Sequence, residues 1–296
     1  MKRRAMLQSL VAAGAVSFAK AQPEFTVHSD VRLVLLDVSV RDHRGNLVSG
    51  LAKDNFSIFE DGHAEKITVF AHDDLPVTVG ILVDESASMR PRRSEVLAAA
   101  EVFIEESNPR DEIFVLNFND RVRRGLPETM LFSDDRAQLR AALHRGMPQG
   151  KTALNDALAA CFAQLGKGRR EKKAVVLISD GGDNASEIGR SEALAMVQRS
   201  PATIYSIGIF EEGDPDRNPG FLKLLSSISG GEAHFPQTPA GMTAVCRRIA
   251  KDIRARYTVG YIPRGKTGLR HIRVHVMSRE AGKLSAVTRT SYTYEN

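Results

Sequence analysis

The stretch VTVGILVD, residues 77–84, is apolar at nearly every position and ends on an acid. A strand with one wet face alternates apolar and polar residues. A near-continuous apolar run therefore belongs to a strand buried on both faces, the condition of a parallel sheet covered by helices. DEIFVLNFND, KKAVVLISD and ATIYSIGIF repeat that character. Between them lie segments with helical spacing: one from Pro91 that places Val96, Ala100, Phe103 and Ile104 together, then DDRAQLRAALHRG, TALNDALAACFAQL, SEALAMVQRS, GFLKLLSSISG and AGMTAVCRRIAKDIRAR. RVRRGLPETM reads as an edge hairpin and GEAHFP as a short strand. Over residues 76–254 this order predicts an α/β fold, a doubly wound, mostly parallel sheet with helices on both faces.

The flanks differ. Residues 24–75 read as β: VRLVLLDVSVRD alternates at Leu36, Val38 and Val40, HRGN is a turn, NFSIFEDG alternates at Phe56 and Ile58, and Asp61–Gly62 signals a hairpin into EKITVF. After Ala255 come YTVGYIP, HIRVHVMS with Ile272, Val274 and Val276 alternating, and LSAVTRTSYTYE. Neither flank has enough strands for a stable sheet of its own, and domain termini often lie close together. Residues 24–75 and 256–296 are therefore expected to form one small β-sandwich-like module, with the α/β domain inserted. Two separate β appendages are the alternative.

The first residues, MKRRAMLQSLVAAGAVSFAKAQ, place Lys2, Arg3 and Arg4 before an apolar run and end it on Ala19-Lys20-Ala21. This is the pattern of a secretory signal over residues 1–21, cleaved after Ala21. Arg3–Arg4 leaves twin-arginine and general export both open. The run from Ala5 to Phe18, roughly 14 residues, is short of the ~20 that a membrane-spanning helix needs. Loss of the signal also changes the charge. The whole chain carries 41 basic and 36 acidic side chains, and residues 1–21 hold four bases and no acid, so the mature protein is nearly neutral at 37 against 36. With no Trp, no long basic run and no tyrosines interleaved with arginines, a nucleic-acid-binding groove is excluded. Export implies an oxidising compartment in which Cys161 and Cys246 can pair, although each sits in an apolar helical pattern that also suits a buried free thiol. No Cys ends the signal, which argues against a lipid anchor.

In an open α/β sheet, ligands bind beyond the carboxyl ends of the strands. Three polar loops belong there: Asp84-Glu85-Ser86-Ala87-Ser88, Gly150-Lys151-Thr152, and Ser179-Asp180-Gly181-Gly182-Asp183. Asp84, Ser86, Ser88, Thr152 and Asp180 make an all-oxygen set of the kind preferred by hard divalent cations. Two negative charges and three neutral hydroxyls leave such an ion electrophilic and open to one more oxygen. Taken singly, the same residues read as helix caps or turns.

The combination of D-E-S-A-S, G-K-T-A-L and S-D-G-G at strand ends resembles the metal-ion-dependent adhesion site of von Willebrand factor type A domains. The resemblance covers roughly residues 76–254. It implies that Ser86, Ser88 and Thr152 bind a Mg²⁺, Mn²⁺ or Ca²⁺ ion through their hydroxyls, with Asp84 and Asp180 bound directly or through water. Glu85 stands where many members carry Gly. The flanks LLDVSVRDHRGNLVSGLAKDNFSIFEDGHAEKITVF and YTVGYIP resemble exported bacterial type A-related proteins best represented among acidobacteria. The resemblance thus implies a secreted or periplasmic, non-enzymatic protein whose ion captures an acidic side chain of a protein partner.

Two other functions bear on the same residues. A Mg²⁺-dependent phosphohydrolase of the haloacid dehalogenase type needs a second acid two residues after its nucleophile, and that position is Ser86. Serine hydrolysis needs a base, and none of the three rim loops holds a histidine. An envelope scaffold, with the β module binding and the ion merely stiffening loops, is the third reading. His271 and His275, four residues apart on one strand face, are about 13 Å apart and cannot chelate one ion. His144 reads as a helix-end residue, and Tyr257 and Tyr261 as packing residues. Arg90, Arg92 and Arg93 form either a solvated face or an attraction for an acidic partner.

Overall fold

The computed structural model describes residues 33–210, 213, 215–265, 267–278 and 282–294. The export signal read at residues 1–21 lies outside them. In chain order the elements are β1 (Val34–Arg41), β2 (Phe56–Glu60), β3 (His63–Glu65), β4 (Ile67–Ala71), β5 (Val77–Asp84), α1 (Arg93–Glu106), β6 (Glu112–Phe118), β7 (Val122–Arg124), α2 (Arg136–His144), α3 (Leu154–Leu165), β8 (Lys172–Ser179), α4 (Arg190–Arg199), β9 (Thr203–Gly208), α5 (Pro219–Ser229), β10 (Ala233–His234), α6 (Pro239–Arg254), β11 (Tyr257–Tyr261), β12 (Gly268–Val276), β13 (Ser285–Val287) and β14 (Ser291–Tyr294).

The apolar runs become the centre of the molecule. Among the described residues a six-stranded sheet has the order β10-β9-β8-β5-β6-β7. Its pairs are parallel except at the β7 edge, where the expected hairpin returns antiparallel to β6. Every position of β5 is buried. Val79, Ile81, Leu82 and Val83 are each almost fully enclosed, worth roughly 1.5–3 kcal/mol apiece. Parallel crossovers are right-handed, so stepping from β5 to β6 and from β6 back across to β8 sends helices to opposite faces. α1 packs against α2 and α6 in one layer, and α4 packs against α3 and α5 in the other. Gly80 lets α3 approach β5, because a Cβ there would come within 2.8 Å of the Cys161 sulfur and 2.7 Å of Phe114. Cys161 in α3 and Cys246 in α6 are both free and buried. Burial pushes both thiols up, Cys246 to about 12.

The β flanks meet as the strand arithmetic requires. One antiparallel sheet has the order β13-β1-β11-β4 and the other β14-β12-β2-β3. β1 pairs directly with β11, Leu36 opposite Val259. Leu36, Val38, Phe56, Ile58, Tyr257, Val259 and Tyr261 fill the space between the sheets. Tyr257 and Tyr261 are packing residues, and their hydroxyls donate to the Val48 carbonyl at 2.9 Å and to Glu60 at 2.6 Å. His271 and His275 lie on the exposed face of β12.

Two sequence expectations shift. The turn at Asp61–Gly62 forms, with both residues at positive φ, but only His63–Glu65 pairs back onto β2. Ile67–Ala71 crosses to the other sheet and pairs with β11, so the apolar face of EKITVF closes the sandwich core from the opposite side. The first helix begins at Arg93 rather than Pro91, because Ala87–Arg92 forms a 3₁₀ turn whose start is tied to the 150 loop through Ala87 N–H and Gly150 O at 3.1 Å.

A buried polar network joins the sandwich to the sheet domain. Asp252 of α6 accepts from Ser39 Oγ at 2.5 Å, Arg41 Nη2 at 2.9 Å, Tyr205 Oη at 2.5 Å and Arg256 Nε at 3.1 Å. Those donors come from β1, β9 and the entry to β11. Arg256 also donates to the Gly230 carbonyl at 2.8 Å and the Asp37 carbonyl at 3.2 Å. Among the described residues no helix is long and apolar enough to cross a membrane.

Candidate metal centre

β5 has β6 on one side and β8 on the other, so the winding direction reverses between β5 and β8. In open α/β sheets that reversal leaves a crevice beyond the strand ends, where ligands bind. Asp84 is the last residue of β5, and Asp180 follows the last residue of β8. The two carboxylates thus flank the crevice because their strands are neighbours.

Side-chain hydrogen bonds link four of the five candidate residues. Ser88 Oγ donates to Asp180 Oδ2 at 2.6 Å, and the Ser86 and Ser88 hydroxyls share a bond of 3.0 Å. Asp84 Oδ1 accepts from Ser86 N–H at 2.9 Å, and its Oδ2 accepts from Ser179 Oγ at 2.7 Å. Asp180 Oδ1 accepts from Gly182 N–H at 2.8 Å. The turn that allows this needs Gly181, whose φ is 83° and whose missing Cβ would lie 2.5 Å from the Asn218 carbonyl oxygen.

Thr152 joins through its backbone. Its N–H donates to Asn184 Oδ1 at 2.9 Å, and its carbonyl accepts from the N–H groups of Asn184 and Ala185 at 3.0 Å each. On the other side, Gln149 N–H donates to the Glu85 carbonyl at 2.9 Å. The loop bearing Thr152 is therefore laced to both strand-end loops. Asp84, Ser86, Thr152 and Asp180 are all buried, and Ser88 is partly exposed.

Burial and the neighbouring Asp180 charge push Asp84 up to about 7, against the lowering effect of the Ser86 and Ser179 hydrogen bonds. Two carboxylates and the Ser86 and Ser88 hydroxyls at one crevice, with the acids held by neutral donors and Thr152 tied in through its backbone, fit a hard divalent cation. Among the described residues no three His, Cys, Asp or Glu side chains gather to hold a metal, so a cation here depends on the hydroxyl oxygens.

Several supporting residues carry little signal in the sequence. Asn184 and Asp120, which accepts from Lys151 N–H, orient the ligand loops without belonging to the motif, and Ser179, inside the S-D-G-G stretch, holds Asp84. Glu85 is buried and pairs with Arg93, Nε to Oε2 at 3.0 Å. Burial raises Glu85 while Arg93 opposes that rise. Of the other arginines, Arg92 pairs with Glu95 at 2.7 Å and Arg90 Nη2 donates to the Pro148 carbonyl at 3.1 Å. All three thus have partners within the chain. His144, at the end of α2, meets Glu101 at 2.8 Å.

Residues 79–182 match the family model of the von Willebrand factor type A domain. All five candidate residues fall inside that segment. No curated protein matches the chain in sequence. Among solved structures, a von Willebrand factor type A protein from Catenulispora acidiphila is similar over 90% of this chain and 74% of its own, at 15% identity and a TM-score of 0.54. The vWF domain of the type V pili tip protein Mfa5 from Porphyromonas gingivalis is similar over 65% of this chain and 98% of its own, at 17% identity and a TM-score of 0.51. At these identities the likeness is one of fold, and the type A fold is the one observed in the sheet domain.

Proposed function

We propose that this is an exported, non-enzymatic binding protein that captures an acidic side chain of a protein partner through a Mg²⁺-type cation at the type A rim. Asp84, Ser86, Ser88, Thr152 and Asp180 would hold the ion, with Mn²⁺ and Ca²⁺ as alternatives to Mg²⁺. The observation that carries this reading is the convergence of the Asp84 and Asp180 carboxylates and the Ser86 and Ser88 hydroxyls at the winding reversal, with Thr152 laced between them. When bound, such a cation supplies an electrophilic centre for one further oxygen. The protein's own part is orientation. Ser179 and the Ser86 N–H fix the two oxygens of Asp84, and the Gly182 N–H and Ser88 fix those of Asp180. The Mfa5 domain belongs to a pilus tip, a setting in keeping with a binding role, and the signal pattern at residues 1–21 supplies the route out of the cell.

The test is a Mg²⁺ titration of partner capture from an envelope fraction, with wild type and Asp84→Ala side by side. Capture by wild type alone, abolished by chelator, is the expected outcome. Identical capture by both proteins, with and without chelator, would overturn the reading.

A further inference from the structure

Glu85 is a buried carboxylate placed between two proposed ligands, Asp84 and Ser86, yet its partner is a side chain eight residues on. Its side chain is 2% exposed, and both its oxygens accept from Arg93 Nε, at 3.0 and 3.3 Å. A buried charge is costly unless paired and hydrogen-bonded, so such a pair is kept where it holds something in place. Here it holds the segment 145–151, which has no helix or strand of its own. Arg93 Nη2 donates to the Gly146 carbonyl at 2.6 Å and to the His144 carbonyl at 3.4 Å. Arg90 caps the Pro148 carbonyl, and the Glu85 backbone carbonyl takes the Gln149 N–H. Gly146 packs against the carboxylate so closely that a Cβ would lie 2.3 Å from Oε1. The backbone anchors at His144, Gly146, Pro148 and Gln149 therefore come from Glu85, Arg90 and Arg93, Ala87 N–H and Asp120 hold the next two residues, Gly150 and Lys151, and Thr152 follows.

We infer that Glu85 and Arg93 are positioning residues for the rim: their ion pair orders segment 145–151, and with it Thr152, before any cation arrives. The inference rests on the cation reading above, and it assigns to a side pair what the ion would otherwise have to do. A site that is competent in only a fraction of molecules binds with its affinity reduced by that fraction. A pre-formed loop removes that reduction.

The experiment uses the full chain, cation-free, with Glu85→Gln and Gly146→Ala as independent ways to disturb the pair. Thermal melts first establish that each variant is folded. Amide hydrogen exchange is then read over residues 145–152, and Mg²⁺ alone is titrated calorimetrically. In both variants exchange in 145–152 is expected to rise about tenfold while β5 and β8 stay protected. Mg²⁺ affinity should fall by about the same factor, and saturating Mg²⁺ should restore protection. Unchanged exchange in both variants would overturn the inference, as would faster exchange with unaltered Mg²⁺ affinity. If wild type itself bound no Mg²⁺, the cation reading would fail alone, and the exchange data would still decide whether the pair orders the loop.

Discussion

Two buried aspartates of this protein sit in opposite electrostatic surroundings. Asp84, at the rim, takes its hydrogen bonds from the neutral Ser86 and Ser179 groups and faces a second carboxylate, so burial and Asp180 raise it to about 7. Asp252, at the junction, is just as deeply enclosed, and burial pushes it the same way. There the Arg256 and Arg41 guanidiniums and the Ser39 and Tyr205 hydroxyls outweigh burial and hold it below the usual carboxylate range. One acid is neutralised by the chain itself. The other faces a second carboxylate instead, so without a cation it keeps its proton up to about pH 7, and an external cation would have to displace that proton.

The largest effect should come from breaking the self-neutralised cluster. Asp252→Ala strands the buried Arg256 guanidinium, leaves Arg41 with Glu232 alone, and is expected to cost roughly 3–5 kcal/mol in denaturant melts, with sandwich and sheet domain unfolding together. A loss under about 1 kcal/mol would show that the junction network contributes little and that the contrast is misplaced.

Asp84→Asn should behave in the opposite sense. In cation-free protein above pH 7 it removes a charge that burial and Asp180 disfavour, so stability should hold or rise. Wild type should gain about 2.7 kcal/mol at a Mg²⁺ concentration one hundred times its Kd, and the variant should lose that gain. Thermal melts with and without Mg²⁺ read both effects.

The pH profiles sharpen the same contrast. A carboxylate raised in the folded state favours unfolding as it ionises, so Asp84 should make cation-free wild type lose stability as pH climbs from about 4 towards about 7. Asp252 is lowered, so its contribution is present above about 4 and is lost as pH falls through its folded value. Asp84→Asn should flatten the first slope and spare the second. Equal slopes in the two proteins between pH 4 and 7 would remove Asp84 as the cause.

Smaller still is Ser179→Ala, which deprives Asp84 Oδ2 of a donor and should cost about 1–2 kcal/mol while raising the Asp84 titration further. At the bottom of the scale, Arg92→Ala breaks the partly exposed Arg92–Glu95 pair and should change stability by about 0.2–0.5 kcal/mol. A larger change would mean that the arginine cluster holds more of the rim than its hydrogen bonds indicate.

The rim acids were legible because apolar strands such as VTVGILVD and KKAVVLIS announce themselves by composition, and the polar residues that follow them must then stand at strand ends. The junction was not. Asp252 lies in a helix rich in Lys and Arg, where a charged residue reads as a solvated face, and its partners Ser39 and Arg41 are more than two hundred residues away. Glu85 stands in the motif where many members carry Gly, and its hold on the loop depends on a tertiary pairing with Arg93. The crossing of Ile67–Ala71 to the second sheet was equally silent, since alternation specifies which face of a strand is buried and not which neighbour it pairs with.

The pairing of β1 with β11 has a mechanical consequence. Val34 lies opposite Tyr261 at one end of that seam, and Val38 lies opposite Tyr257 at the other, nearer the sheet domain. Tension applied to the chain just before Val34 and just after Tyr261 would unzip the seam from its outer end, one rung at a time. Until the last rung parted, the sheet domain and its rim would carry no load.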